Sequence, residues 1–270
     1  MNKRIGLIGF GALSRSVVDA WKQAPVEGHT LVSVLVRPHQ QSEACRCLGP
    51  SVRVTADVGE FMACGLDLAV ELAGQAAVAE LGPALLGGGV HLMLLSAGAL
   101  ASPQVMDEVL RAAEQGASRV MIPVGAIAGL DGLLALRRAG LQQVVYSSTK
   151  PPRSWKGTPA ERLLDLDTLA QRTVFFEGTA REAASCFPKN ANLAAVVALA
   201  GLGLDRTRVV LAADPQSTQN IGSVQAQSLH SSLHITVAGS SQPSNPKSSM
   251  ITGMSVLSAL DNRAQQIAFV

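Results

Sequence analysis

Apolar runs of strand length alternate with helix patterns through the first half of the chain. Six such runs cover residues 4–10, 30–37, 51–57, 67–74, 91–98 and 119–126. A helix is predicted to open at Pro103, with Ser102 as its cap, and to stop near Gly116. Strands that alternate with helices across short connections form βαβ units, so this half is predicted to be an α/β, doubly wound parallel sheet.

The pattern changes after about residue 125. Capping boxes at Thr158–Glu161 and Thr179–Glu182 each precede an apolar helix pattern. Residues 221–229 and 232–239 alternate apolar and polar side chains, as strands with one open face do. The second half is therefore predicted to be α+β, with a mixed or antiparallel sheet, and the Ser/Pro-rich segment 239–246 is interpreted as a loop.

A glycine-rich turn links the first predicted strand to its helix. It comprises Gly9, Phe10, Gly11, Ala12, Leu13 and Ser14. Residues without a Cβ permit a close backbone approach to a pyrophosphate, and the helix N-terminus supplies N–H donors. Ser14 replaces the usual third glycine and is small enough for helix–strand packing. The strand–turn–helix context favours dinucleotide binding by a Rossmann-type domain over a purely structural turn.

Arg37 stands at the end of the second predicted strand, where an acid would read the ribose hydroxyls of NAD. A guanidinium there can accept a 2′-phosphate, so the expected cofactor is NADP or NAD, with NADP tolerated or preferred. The alternative is that Arg37 is a solvated strand end.

Length and composition support two domains. The chain has 270 residues, of which 47% are hydrophobic, 16% charged and 3% aromatic, which is typical of an aliphatic interior. We expect residues 1–125 to form the dinucleotide-binding domain and residues 126–245 an α+β domain for substrate binding and dimerisation. Residues 246–270 are expected to form a C-terminal helix that can pack back on the first domain.

Charge and cysteine usage exclude several other classes. A net charge of +2 gives no reason to expect nucleic acid or an anionic membrane as a partner. The cysteines are scattered, without metal-ligand spacing, so reduced thiols in a cytoplasmic protein and no metal are expected. They are Cys45, Cys47, Cys64 and Cys186. No apolar run is long enough to span a bilayer. Because the first strand is predicted to begin at residue 4, we expect no signal peptide.

Several motifs in the chain resemble those of the L-aspartate dehydrogenase family. The segments are SAGAL (96–100), GAIAGLD (125–131), KPP (150–152), WKGTPAE (155–161), FPKNAN (187–192), LGLDRT (202–207) and NPKSSM (245–250). They occur in order along essentially the whole chain, so together they are specific.

This resemblance implies NAD(P)-dependent oxidation of aspartate to iminoaspartate, a precursor for pyridine nucleotide synthesis. It also implies a Rossmann domain, a catalytic α+β domain, a homodimer and a small amino acid or imino acid substrate. The family's cofactor contacts fall on Ala126 and Asn192. Their alternatives are a small residue packed after a strand and the cap of the following helix.

The resemblance also implies a catalytic histidine in a DPxxxxNxH segment. Aligning Asp214-Pro215 and Asn220 with that pattern places Gly222 at the histidine's position. Amine oxidation needs a neutral nitrogen, and a base with a pKa near neutrality usually accepts the proton. The chain thus has the expected strand without the expected titratable group.

Other side chains could fill the vacancy. His234, with neighbouring His230, is the candidate substitute, although its alternation with Leu233 and Ile235 also suits a solvent-facing residue. Lys150 and Lys247 are interpreted as binders of the substrate carboxylates, or as solvated surface lysines.

Three functions follow from these patterns. The first is an aspartate-dehydrogenase-like oxidoreductase, slowed or redirected by the missing histidine. The second is an imine reductase or amine dehydrogenase for a bulkier substrate, since glycine enlarges the pocket. The third is a cofactor-binding sensor without catalysis. Retention of the substrate-side motifs favours the first.

Overall fold

The chain forms two compact units. The computed structural model describes residues 2–188, 190–242, 245–249 and 251–269, with side chains in all of these ranges except 241–249. One unit comprises residues 1–123 and 253–270, and the other comprises residues 124–252.

The first unit is built on a six-stranded parallel sheet. Its strands are β1 (Lys3–Ile8), β2 (His29–Leu35), β3 (Arg53–Thr55), β4 (Leu68–Glu71), β5 (His91–Leu94) and β6 (Val120–Met121). Its first helices are α1 (Ala12–Gln23), α2 (Gln41–Leu48), α3 (Val58–Met62), α4 (Gln75–Gly87) and α5 (Pro103–Gln115). The strand order is β3-β2-β1-β4-β5-β6, so the order reverses beside β1, where open α/β sheets bind their ligands.

The second unit contains a five-stranded mixed sheet. Its helices are α6 (Leu130–Arg138), α7 (Ala180–Cys186) and α8 (Asn192–Ala200). Its strands are β7 (Leu141–Lys150), β8 (Thr173–Thr179), β9 (Arg208–Ala213), β10 (Asn220–Ser228) and β11 (Ser232–Gly239), in the order β11-β10-β7-β9-β8. Only the β7–β9 pairing of this sheet is parallel. The two sheets confirm the predicted fold class.

A final helix, α9 (Ile251–Ala264), contributes to the core of the first unit. Its buried Val256 and Leu260 belong to the same cluster as Ile5 and Val17. A Cβ added at Gly253 would lie 3.2 Å from side-chain atoms of Leu13 and Val17, which shows how closely α9 approaches α1.

One of the two capping boxes predicted for the second unit is wrong. Thr158 bonds the amide of Ala160, and only a 3-10 helix, Pro159–Arg162, follows it. The chain then forms an Asx turn instead of the predicted α-helix, and in this turn the Asp165 carboxylate accepts from the backbone amide of Asp167 at 3.1 Å. By contrast, the box at Thr179–Glu182 has both of its hydrogen bonds and opens α7.

The segment expected to be a loop is partly a ribbon. Strands β12 (Ser241–Gln242) and β13 (Asn245–Ser249) pair in antiparallel fashion, and residues 243 and 244 lie outside the described part. Proline is tolerated in such a ribbon because a two-stranded sheet has only edge strands, where the missing N–H is not required.

Candidate active site

Gly9 gives the turn after β1 its shape. Its φ is +96°, and an added Cβ would lie 2.9 Å from the Cβ of Ala73. Its N–H donates to the carbonyl of Leu35 at 2.8 Å. A left-handed backbone without room for a Cβ requires glycine here.

The N-terminus of α1 is open to an anion. Gly11 is the N-cap residue in extended conformation. Among the described residues no side chain caps the helix, and a Cβ at Gly11 would meet no atom within 4 Å. Ala12 and Leu13 are partly exposed in the first turn, which contains no acidic residue. Their orphan N–H groups and the helix dipole suit a phosphate group. The turn therefore fits the pyrophosphate of a dinucleotide.

Two side chains hold this turn in place. Ser14 is buried and donates its hydroxyl to the carbonyl of Gly9 at 2.6 Å. Phe10 is also buried, and its carbonyl accepts from the side-chain Nε2 of Gln40 at 3.3 Å. Arg15 lies over the Phe10 ring, 5.8 Å from its centroid, and pairs with Glu43. Ser14 thus fills the place of the third glycine by bonding the turn itself.

Arg37 follows β2 and precedes the 3-10 helix Pro38–Gln40. Its carbonyl accepts from the amide of Gln40 at 2.9 Å, while its side chain is exposed. Within the described residues, Arg37 has no carboxylate partner at ion-pair distance. Its guanidinium is therefore available to a ligand.

Glu71, which sequence reasoning missed, joins two loops at the ends of β4 and β5. Its fully buried carboxylate accepts from the amides of Ala73 at 2.7 Å, Gly74 at 2.6 Å and Ser96 at 3.0 Å, and from the Ser96 hydroxyl at 3.0 Å. Burial raises the pKa of Glu71, and these hydrogen bonds oppose the rise. Because Ala73 packs against Gly9, Glu71 braces the phosphate turn.

In the second unit, the loop before α6 approaches both Gly222 and the start of α8. Ala126 and Ile127 are buried in this loop. A Cβ at Gly125, whose φ is +67°, would lie 2.9 Å from the side chain of Leu193. A Cβ at Gly222 would lie 3.4 Å from the Cδ1 of Ile127. The loop that carries Ala126 therefore lies beside both the vacant position and the helix that Asn192 opens.

Asn192 is the first residue of α8, one position after the N-cap Ala191, and the helix has no side-chain cap. This position does not support the capping alternative for Asn192. Nearby Asn190 is buried, and neither atom of its side-chain amide has a hydrogen-bond partner within the described residues. The FPKNAN motif was the available signal for this second asparagine.

One face of β7 lines the space at Gly222. Tyr146, Ser148 and Lys150 all point to the buried side, and Gly222 pairs with Ser148. The Tyr146 oxygen would lie 3.6 Å from a Cβ at Gly222. Burial raises the pKa of Tyr146 to about 12, and a side-chain hydrogen bond with Ser148 opposes the rise.

Lys150 is a buried cation. Its exposed fraction is 9%, its Nζ lies 5.0 Å from the centroid of the Trp155 ring, and no described acid pairs with it. Burial lowers its pKa to about 8. The alternative of a solvated surface lysine is wrong, since packing removes Lys150 from water.

The other two candidates are placed differently. His234 pairs with Gln225 on the exposed face of β11, where its Nε2 lies 3.3 Å from the Ser223 hydroxyl. Gly222 faces the opposite, buried side, so this placement gives no support to His234 as the substitute. Lys247 lies on β13, and its side chain is outside the described part of the chain.

The described residues contain no group of three or more His, Cys, Asp or Glu side chains placed to hold a metal ion. Within the described ranges, no helix has both the length and the apolar character needed to cross a membrane.

A glycine-rich phosphate turn at the switch point of a parallel sheet places this protein in the class of dinucleotide-binding Rossmann-type proteins. Residues 131–263 match the family model "Aspartate dehydrogenase, C-terminal", and residues 9–123 match "Homoserine dehydrogenase, NAD binding domain". L-aspartate dehydrogenases of Cupriavidus necator and Ralstonia pickettii are each 40% identical to this chain, over 98% of both sequences. The crystal structure of aspartate dehydrogenase from Thermotoga maritima matches with a TM-score of 0.77 and 25% identity over 100% of both chains. The chain belongs to the L-aspartate dehydrogenase family.

Proposed function

We propose that this protein is an NAD(P)-dependent L-aspartate dehydrogenase. It interconverts L-aspartate and iminoaspartate, and hence oxaloacetate and ammonia. The observation that carries the proposal is 40% identity to L-aspartate dehydrogenases over 98% of the chain. A bound dinucleotide would supply the hydride chemistry, while the protein binds and orients the substrate and transfers protons.

We assign the binding roles unit by unit. In the first unit, the amides from Gly9 to Ser14 hold the pyrophosphate, and Arg37 binds a 2′-phosphate, which favours NADP over NAD. In the second unit, Ala126 and Asn192 contact the cofactor. Lys150 and Lys247 are assigned to substrate binding.

Other properties of the family belong to the same proposal. The protein acts as a homodimer in the cytoplasm and supplies iminoaspartate for pyridine nucleotide synthesis. The family resemblance supports these assignments, and gel filtration with light scattering tests the oligomeric state.

A second function is favoured by the space at Gly222. The nearest atoms to a Cβ there are 3.4 to 3.7 Å away, so the position is lined by the Ile127 and Tyr146 side chains and carries no bulk of its own. Because glycine lacks the volume of a histidine, the substrate of this second function is a bulkier amine, as in an imine reductase or amine dehydrogenase. A sensor that binds the cofactor without turnover is the remaining alternative.

Initial rates separate these functions. Purified protein is assayed for NADPH and NADH oxidation with oxaloacetate and ammonia, and then with a panel of larger oxo acids and amines. Turnover of oxaloacetate supports the aspartate reaction, whereas turnover only of larger substrates supports the second function. Tight NADPH binding without any turnover would establish the sensor.

A further inference from the structure

The buried face of β7 carries a lysine on the diagonal position across from Gly222. Lys150 follows Ser148 by two residues on the same face, and Ser148 pairs with Gly222. Diagonal neighbours across antiparallel strands are roughly 7–8 Å apart, within reach of a long side chain. Lys150 is therefore a same-face neighbour of the position where the family has its histidine.

Asn220 adds an unsatisfied acceptor to this place. It stands two residues before Gly222 on the same strand, and extending the β7–β10 register by one residue brings it opposite Lys150. Its Oδ1 is buried and has no hydrogen-bond partner among the described residues. A buried acceptor without a donor indicates a ligand that donates, as an amine does.

Burial disfavours the ammonium form of Lys150 and so enlarges the fraction of neutral amine relative to an ordinary lysine. The Trp155 ring, whose centroid is 5.0 Å from Nζ, is a cation–π partner for the protonated form, and Ala213 is the register partner of Lys150 on β9. The resulting pKa of about 8 lies near the operating pH, as an efficient base requires.

Resting on the proposed function, we propose that Lys150 is the catalytic base of this protein and replaces the histidine missing at Gly222. The neutral Nζ takes one proton from the substrate ammonium and becomes an ammonium itself. A dinucleotide held by the turn from Gly9 to Ser14 would supply the acceptor for the α-hydrogen and its electron pair, and the lone pair freed on the substrate nitrogen would then form the C=N bond. Asn220 Oδ1 accepts a hydrogen bond from the reacting nitrogen, and the reverse reaction returns the proton.

Few charged groups approach Lys150. On its own strand the neighbouring titratable group is Tyr146, which stays protonated at neutral pH. After β9, the carboxylate of Asp214 accepts from the amide of Gln216 at 2.9 Å. In the 3-10 helix Pro152–Trp155, Arg153 donates to the carbonyl of Thr218 at 3.4 Å. Strand β13, which contacts this 3-10 helix, carries Lys247.

The decisive variant is Lys150→Arg, which keeps the positive charge but cannot release a proton near neutrality. We expect kcat for L-aspartate to fall by ~10²–10⁴-fold, with loss of the ionisation near pH 8 from the pH–rate profile. Exposed Lys156→Arg is the matched control and should retain the wild-type profile. Added ethylamine should partly restore Lys150→Ala. A Lys150→Arg enzyme with wild-type kcat would overturn this proposal and leave the proposed function standing.

A second readout does not depend on turnover. Protein produced with ¹³C-labelled lysine is titrated by NMR through its lysine ¹³Cε signals in the unliganded state, and the Lys150 signal is identified by its absence from Lys150→Arg. We expect it to titrate near pH 8, and titration at the ordinary value of 10.5 would overturn the proposal. Wild-type protein that turns over no amine with either dinucleotide would overturn the proposed function and this inference together.

Discussion

Gly222 lies directly opposite Ser148 in the antiparallel pairing of β10 with β7. A Cβ at Gly222 would stand 3.4 Å from the Ile127 Cδ1 and 3.6 Å from the Tyr146 oxygen, which are ordinary van der Waals separations. The backbone there has room for a Cβ among the described residues, so glycine is not a steric necessity at this position.

This relationship predicts that a histidine can be returned to the site. In a Lys150→Ala background, Gly222→His should raise kcat for L-aspartate by at least ~10-fold, because an imidazole again accepts the proton. Gly222→Gln, of similar size but without a titrating group, is the control. Equal rates for the Gln and His variants would contradict the prediction.

The two glycines of the phosphate turn should respond differently to the same substitution. Gly9→Ala combines a φ of +96° with a contact at 2.9 Å to Ala73, and should lower the free energy of unfolding by about 1–3 kcal/mol. Gly11→Ala meets no neighbour within 4 Å and should fold normally, yet bind NADPH more weakly because the methyl enters the phosphate space. Urea unfolding and fluorescence titration measure the two effects. Normal NADPH affinity in Gly11→Ala would contradict pyrophosphate binding at this turn.

Arg37 should determine the preference between the two dinucleotides. A hydrogen bond to a charged group contributes about 1.5–3 kcal/mol, so Arg37→Met should weaken NADPH binding by roughly 10- to 100-fold. NADH binding should be unchanged. Arg46→Met, at an exposed position of α2, is the control and should alter neither Kd. Equal loss of both affinities in Arg37→Met would exclude 2′-phosphate recognition.

Signals carried by neighbouring residues predicted structure well. The helix expected at Pro103 is α5, because the Ser102 hydroxyl accepts from the amide of Val105 at 3.5 Å and Gly116 follows the last residue. The alternating pattern at 221–229 is β10, because a one-residue slip would bury its polar face. The helix cap depends on residues that are neighbours in the chain, and the strand depends on the alternation of apolar and polar side chains.

Features that depend on distant pairing were not predictable in the same way. Strands β7 and β9 form the parallel centre of the second sheet, and their apolar runs could have been recognised as strands, but no local pattern specifies their pairing. Glu71 ends an apolar run, which is a signal in itself, yet Ser96 reaches it from another loop. The burial of Lys150 likewise arises only when Trp155 packs against it.

Glu71 should couple stability to cofactor binding. In Glu71→Gln, the side-chain NH₂ group would face the backbone N–H and hydroxyl donors that the carboxylate now accepts from. The variant should therefore lower the free energy of unfolding by about 1–3 kcal/mol. NADPH affinity should fall with it, because Ala73 then supports Gly9 less firmly. Exposed Glu80→Gln is the control and should change neither quantity. Unaltered NADPH affinity in Glu71→Gln would show that Glu71 serves the fold alone.

The raised pKa of Glu71 also predicts a pH dependence. Above the ordinary value of 4.5 and up to the raised value, the folded protein holds a proton that the unfolded chain has lost. Glu71 therefore makes stability fall as pH rises through this window, and Glu71→Gln should lack that slope. Urea unfolding of both proteins from about pH 4.5 upward measures it.

The lowered pKa of Lys150 predicts that the free energy of unfolding rises with pH in the alkaline range, opposite to the effect of Glu71. Between its folded pKa of about 8 and its ordinary value of 10.5, the unfolded chain binds a proton that the folded protein does not. Stability therefore rises with pH across this window, by about 3 kcal/mol for this group alone. Lys150→Met removes the buried amine, so the difference in unfolding free energy between wild type and variant should shift by that amount between pH 8 and 10.5. Urea unfolding at matched pH values measures the difference, and a constant difference would show that the Lys150 amine is solvated rather than buried.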